Sequence, residues 1–266
     1  MVSLENLYIS PLETCNLHCR YCYTEKTKNV LNNQQILSFV NRYQKYLKKV
    51  SLVKGRNGEA ERDLNLKSII FCGGELFTLN SFPDLVNKLD KLGIFITIIT
   101  NGTIDRLNKI KNPNSCQLLV SFDGPKNIHD HNRGVGNYDL SKSFVRHALD
   151  LDFPVEIFLL ITKESYPYLN SFNIFDLKKT YLIDRLGSLS PAQTQNILNN
   201  YPTYPPKVFG CHQISLQSDS LVYPCCETQK TIGKISDPVK KIIKNYLDLV
   251  CKNPFCVDPD FYCNLK

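Results

Sequence analysis

The chain has 266 residues, 42% of them hydrophobic, and 32 Lys and Arg against 25 Asp and Glu give a net charge of +7. That composition supports a real core and leaves room for one barrel of roughly 200 residues plus a small appendage. It argues against several classes: no apolar run approaches the roughly 18 residues of a membrane span, the start MVSLENLYIS lacks the basic and then apolar pattern of a secretory signal, and the cations are spread singly rather than interleaved with aromatics as expected of a nucleic-acid surface.

In chain order, NLYIS (6–10) is a strand that runs into the cysteine loop ETCNLHCRYCYTE (13–25), and 32–50 carries apolar residues at helical spacing and ends in cations. After a polar excursion from residue 51, KSIIF (67–71) is a strand, 81–92 a helix with Ser81 as its cap, and IFITIIT (94–100) a buried strand rich in β-branched residues. The unit repeats with a strand at 117–122, a helix at 138–149 and a strand at 154–162. Beyond these come a helix within YLNSFNIFDLKKT (168–180), a short strand at 181–186 and a helix at 190–201. About six β/α units in series imply a parallel sheet with right-handed crossovers. Six is fewer than eight, so the reading is an α/β fold: a partial (β/α)6 TIM-like barrel, residues 1–200, with a small cysteine-rich extension, residues 201–266, beyond the proline cluster YPTYPPK.

The eleven cysteines are odd in number and fall mainly at the two ends of a chain that is not short. They fit metal-bound thiolates in a reducing cytosol better than a disulfide framework. Cys15, Cys19 and Cys22 are too few to close a four-ligand structural zinc site from protein alone. Something else must fill a fourth position. Polar groups also follow the other strands, where a β/α barrel carries its chemistry: CGGE (72–75), TNG (100–102) and SFDG (121–124). Gly73 and Gly74 let backbone approach a ligand closely, and Glu75 supplies an acceptor for a cation.

The C-x3-C-x2-C run with Tyr21, followed by a strand ending in GGE, resembles the radical S-adenosylmethionine superfamily. The resemblance implies that Cys15, Cys19 and Cys22 hold a 4Fe-4S cluster whose fourth iron is chelated by S-adenosylmethionine. Tyr21 would pack near the adenine, and Gly73, Gly74 and Glu75 would receive the methionine amino group. Reductive cleavage of the cofactor would yield a 5'-deoxyadenosyl radical that takes hydrogen from a substrate. SFDGPKNIHDHNRG (121–134) is similar to the SxDGxxxxHDxxR segment of the branch that includes sulfatase-maturing and peptide-modifying maturases. By that likeness Ser121 and Arg133 lie near the cofactor's carboxylate and ribose, with Asp123 a further ribose candidate. His129 and His131 read as structural.

The tail poses a second metal question, with Cys211, Cys225, Cys226, Cys251, Cys256 and Cys263. Apolar alternation around the turn at 218–220 predicts a β-hairpin that places Cys211 and Cys225 at its open end. The arrangement resembles the SPASM and twitch extensions of the same branch, which hold auxiliary Fe-S clusters. The full SPASM pattern has seven cysteines and two clusters; six cysteines with C-x4-C-x6-C spacing point to one. The same thiolates would also satisfy structural zinc. Cys72 and Cys116 lie outside both groups and read as free thiols, with Cys72 close to the cofactor site.

The implied substrate is a peptide or protein oxidised, cross-linked or epimerised at carbon, served by a reducing partner such as flavodoxin or ferredoxin. The rivals are a small-molecule dehydrogenase or rearrangement enzyme, a tRNA-modifying member, and a non-catalytic metal-binding module on a degenerate scaffold. The last would be expected to have lost cluster cysteines or GGE, and both are present. The sequence singles out no general base.

Overall fold

A computed structural model describes residues 4–22, 24–51, 64–184, 187–203, 213–226, 228 and 230–252. Six strands follow one another in parallel: β1 (Asn6–Ser10), β2 (Ser68–Phe71), β3 (Phe95–Thr100), β4 (Cys116–Phe122), β5 (Val155–Ile161) and β6 (Lys179–Ile183). On the other side of β1, β7 (Ile214–Gln217) also pairs in parallel, and β8 (Leu221–Tyr223) and β9 (Gly233–Lys234) continue antiparallel. Among the described residues the order is β6-β5-β4-β3-β2-β1-β7-β8-β9, an open sheet with β6 and β9 at its edges. The hairpin expected around 218–220 is present, and it extends the same sheet rather than starting a new one.

Among the described residues, six α-helices accompany the strands: α1 (Asn33–Ser51), α2 (Phe82–Asp90), α3 (Lys126–Arg133), α4 (Asn137–Asp150), α5 (Pro191–Asn200) and α6 (Val239–Lys252). Among the described residues, the β3–β4 and β5–β6 connections hold only single turns of 3-10 helix. The helix expected within 168–180 is therefore not formed. Pro167 sits in the short turn Tyr166–Tyr168, and Phe175 and Asp176 adopt left-handed φ values of 52° and 56°, which an α-helix cannot contain. Ser81 precedes α2 but makes no side-chain cap bond, because its own backbone is already helical. Ser190 does cap α5, in a reciprocal capping box with Gln193.

Period-two alternation divides each strand between two faces. Leu7, Ile9, Ile69, Phe71, Ile96, Ile98, Leu118, Val120, Ile157 and Leu159 join the main core with Phe39, Tyr43, Leu85, Val86, Phe144 and Val145 of the helices. The alternate residues Ile99, Leu119 and Phe158, packed with Ile70, Cys72 and Leu182, form a second, smaller cluster on the opposite face. That second face lies beneath the loops at the strands' C-terminal ends. No helix among the described residues is long and apolar enough to cross a membrane.

Candidate functional site

The first of those loops leaves β1 at Ser10 and is held against β2 by backbone bonds. Cys72 N–H donates to Ile9 O (3.1 Å), Gly74 N–H to Leu12 O (2.9 Å) and Glu75 N–H to Thr14 O (3.1 Å). Such an approach leaves no room for side chains at the glycines. A Cβ on Gly74 would stand 1.9 Å from Thr14 O, and one on Gly73 would stand 2.3 Å from Leu12 O, where φ is also +139°. The pair is therefore glycine because the chain passes face to face with the cysteine loop.

Cys15, Cys19 and Cys22 all line one cleft with Tyr21, Gly73, Gly74, Ser121, Asp123 and Arg133. None of the three thiols is in a disulfide. Burial raises the Cys15 and Cys19 thiols above their ordinary range, opposed at Cys15 by the Leu17 N–H and at Cys19 by the Arg133 charge. The Cys22 side is exposed. A set of three soft thiolate donors beside a backbone cradle fits an Fe-S cluster in its chemistry.

Arg133 ends α3 and its Nε donates to Asp123 Oδ1 at 2.7 Å, with Asp123 1% exposed and Arg133 13%. Gly134 closes the helix at φ +107° through a bond from its N–H to Asp130 O (2.8 Å). The cysteine loop is pinned to the same helix end, since Arg20 N–H donates to Asn132 O at 2.9 Å and the Arg20 guanidinium meets His131. Tyr21 donates its hydroxyl to Glu164 at 2.9 Å. His129 is fully buried against Phe122 and Tyr138, with ring centroids 5.1 and 5.7 Å away, in keeping with a structural part.

Glu75 stands apart from the other expected site residues. It is 0% exposed and sits behind the cleft wall, with Oε1 accepting from Phe77 N–H (3.1 Å) and Thr100 Oγ1 (2.8 Å), and Oε2 from Asn101 N–H (2.8 Å). Burial pushes its carboxyl up, and those donors and Arg133 pull it back. The carboxylate thus ties the GGE turn to the TNG turn. The apolar wall formed by Ile99, Phe158, Leu160 and Leu182 was not singled out from sequence, although the strand alternation that places Ile99, Phe158 and Leu182 on one face was its signal.

In the C-terminal part, Cys225 is buried and Cys226 half-buried just after β8, and both are outside any disulfide. Cys211, Cys256 and Cys263 lie outside the described residues, as does the Cys251 side chain. Cys116 is a fully buried thiol in β4, and Cys72 lines the cleft.

Comparison with known proteins gives the family and the fold. The family model described as the Radical SAM superfamily matches residues 9–169. The cysteine-type anaerobic sulfatase-maturating enzyme of Clostridium perfringens is 28% identical over 219 residues, covering 75% of this chain and 56% of that protein, so the match spans only about half of the relative's length. Among solved structures, native anSMEcpe with bound AdoMet superposes with a TM-score of 0.69 at 18% identity, over 90% of this chain and 80% of that one. Streptococcus suis SuiB bound to its precursor peptide SuiA gives 0.68 at 13% identity, over 96% and 67%. With more than half of its residues matched by the family model, across the cysteine loop, the glycine cradle and the Asp123–Arg133 segment, the chain belongs to the radical SAM superfamily.

Proposed function

We propose that this chain is a radical SAM enzyme that binds a 4Fe-4S cluster through Cys15, Cys19 and Cys22 and takes hydrogen from carbon in a peptide or protein. The observation that carries this reading is the three free thiols around one cleft whose wall is a glycine pair packed on their own loop. When bound, the cluster with S-adenosylmethionine supplies the one-electron chemistry that produces a 5'-deoxyadenosyl radical.

The protein's part is to hold and orient. Gly73 and Gly74 present backbone groups to the cofactor's amino group, and Glu75 fixes that turn from behind. Arg133 offers forked donors toward a carboxylate, and Asp123, which accepts from its Nε, holds the guanidinium in place. Ser121 reaches in from β4, and Tyr21 flanks the adenine side. The apolar wall of Phe158, Leu160 and Leu182 keeps water from the reacting end.

The peptide substrate rests on the matched relatives, among them a sulfatase-maturating enzyme and a protein solved with a precursor peptide. Residues 201–266 form the extension, whose strands β7, β8 and β9 continue the barrel's sheet, and it carries one auxiliary Fe-S cluster held by residues drawn from Cys211, Cys225, Cys226, Cys251, Cys256 and Cys263. Electrons come from a small reducing partner such as flavodoxin or ferredoxin. The test is 5'-deoxyadenosine release from S-adenosylmethionine by the reconstituted, chemically reduced protein. Replacing Cys15, Cys19 and Cys22 together by Ala should abolish it, and product formation unchanged by that triple substitution would end the proposal.

A further inference from the structure

TNG (100–102) closes β3 in the cleft wall, and the proposed reaction leaves it without a task. Every polar atom of its central residue is nonetheless engaged. Asn101 is 7% exposed. Its backbone N–H is held by Glu75 at 2.8 Å, and its backbone oxygen accepts from Ser141 Oγ at 2.7 Å. Thr100 is fixed by the same Glu75, and Gly102 takes a left-handed φ of +69° where a Cβ would meet Val120 at 2.9 Å. The turn is therefore rigid before its side chain is considered.

The side chain's orientation is set by its oxygen. Asn101 Oδ1 accepts from Thr103 N–H (2.8 Å) and Thr103 Oγ1 (2.7 Å). A flipped amide would face the Thr103 N–H with its own donors, so the nitrogen must point the other way. There it has two hydrogens and two acceptors: Asn16 Oδ1 at 3.1 Å and Cys15 Sγ at 3.8 Å. Cys15 Sγ also accepts from the Leu17 N–H at 3.4 Å. Asn16 in turn donates to Thr103 Oγ1 at 2.8 Å, which closes the network.

We propose that Asn101 is a positioning residue that donates an N–H to the Cys15 sulfur and so tunes the cluster, with Glu75 as its anchor. This rests on Cys15 being a cluster ligand. N–H donors to cluster sulfurs favour the reduced, more negative state and raise the reduction potential. Asn101 acts through the ligand and touches no reacting atom.

The test uses the whole reconstituted chain, its Asn101→Ala and Asn101→Asp variants, iron content, and potentials from EPR-monitored titration without S-adenosylmethionine. Asn101→Asp keeps the shape and the acceptor for Thr103 while removing both donors. Both variants should load iron and titrate at more negative potential, Asn101→Asp the further because it adds an anion. In wild-type protein labelled with 15N only at asparagine side chains, the reduced cluster should show a 15N hyperfine coupling that both variants lose. Loaded variants with unchanged potential, or a wild-type cluster with no such coupling, would overturn the assignment. The labelled wild type decides alone if the variants fail to load. Equal iron in the wild type and in the Cys15, Cys19 and Cys22 triple Ala variant would instead sink the cluster reading itself.

Discussion

At Gly74 a single hydrogen atom separates a working loop from a broken one. Its missing Cβ would stand 1.9 Å from a backbone oxygen that no rotamer change can move. Gly74→Ala must push the GGE turn off the cysteine loop, at the cost of about 1–3 kcal/mol typical of forced overpacking. The expected result is a lower urea midpoint together with reduced iron uptake; a variant matching wild type in both would mean the loop does not pack as described. The glycine pair was legible from sequence as a close approach, but what it approaches was not. Glu75 read as an acceptor in the site, because a glutamate in a loop has no sequence signal for burial. Its withdrawal follows from three donors delivered by Phe77, Thr100 and Asn101, two of them 25 and 26 residues away in the chain.

Strands were the most legible elements and α3 the least. β3 (FITIIT) is rich in β-branched residues and β5 (VEIFLLI) is an apolar run interrupted only by Glu156, a composition few other local structures accommodate. The α3 sequence KNIHDHNR has one aliphatic residue and no apolar stripe, so helical periodicity is silent there. Its buried side is instead Ile128, His129 and Asn132, a face that exists only because Phe122 and Tyr138 supply the other half. This has a pH consequence. Neither ring nitrogen of His129 has a hydrogen-bond partner, and burial, aided by the Arg133 and Lys126 charges, lowers its pKa to about 3 against 6.5 ordinarily. The folded pKa is depressed, so the unfolded chain binds the proton first as pH falls. Stability from the neutral ring is complete above about pH 6.5 and declines by about 1.4 kcal/mol per pH unit from there toward pH 3. Urea midpoints measured at pH 7.5 and 5.5 should fall for the wild type and fall less for His129→Phe. Equal slopes in the two proteins would show that another group governs acid lability.

Across the whole molecule, strand direction decides where Cys225 lies relative to the cysteine loop. The cysteine loop leaves the C-terminal end of β1, and β7 runs parallel to β1. β8 is antiparallel to β7, with Tyr223 opposite Ser215, so the chain reaches Cys225 at the end of the sheet away from the cleft. Six parallel strands and a hairpin were readable from alternation and turn residues, whereas the addition of that hairpin to β1 was not, because nothing local to 213–223 records which edge it joins. A metal held by Cys225 would then lie at the opposite end of the strands from the loop that carries Cys15, Cys19 and Cys22. Reconstituted protein should carry about eight irons, by the stoichiometry of two thiolate-held 4Fe-4S clusters. Cys225→Ala should bring this to about four while leaving the potential of the remaining cluster and reductive cleavage of S-adenosylmethionine intact. The Cys15, Cys19 and Cys22 triple Ala variant should also hold about four irons yet release no 5'-deoxyadenosine. About four irons in the wild type and none in the triple variant, with one zinc in both, would make the tail a structural clasp. The proposed extension would then hold no auxiliary cluster, and the first site would have to work without one.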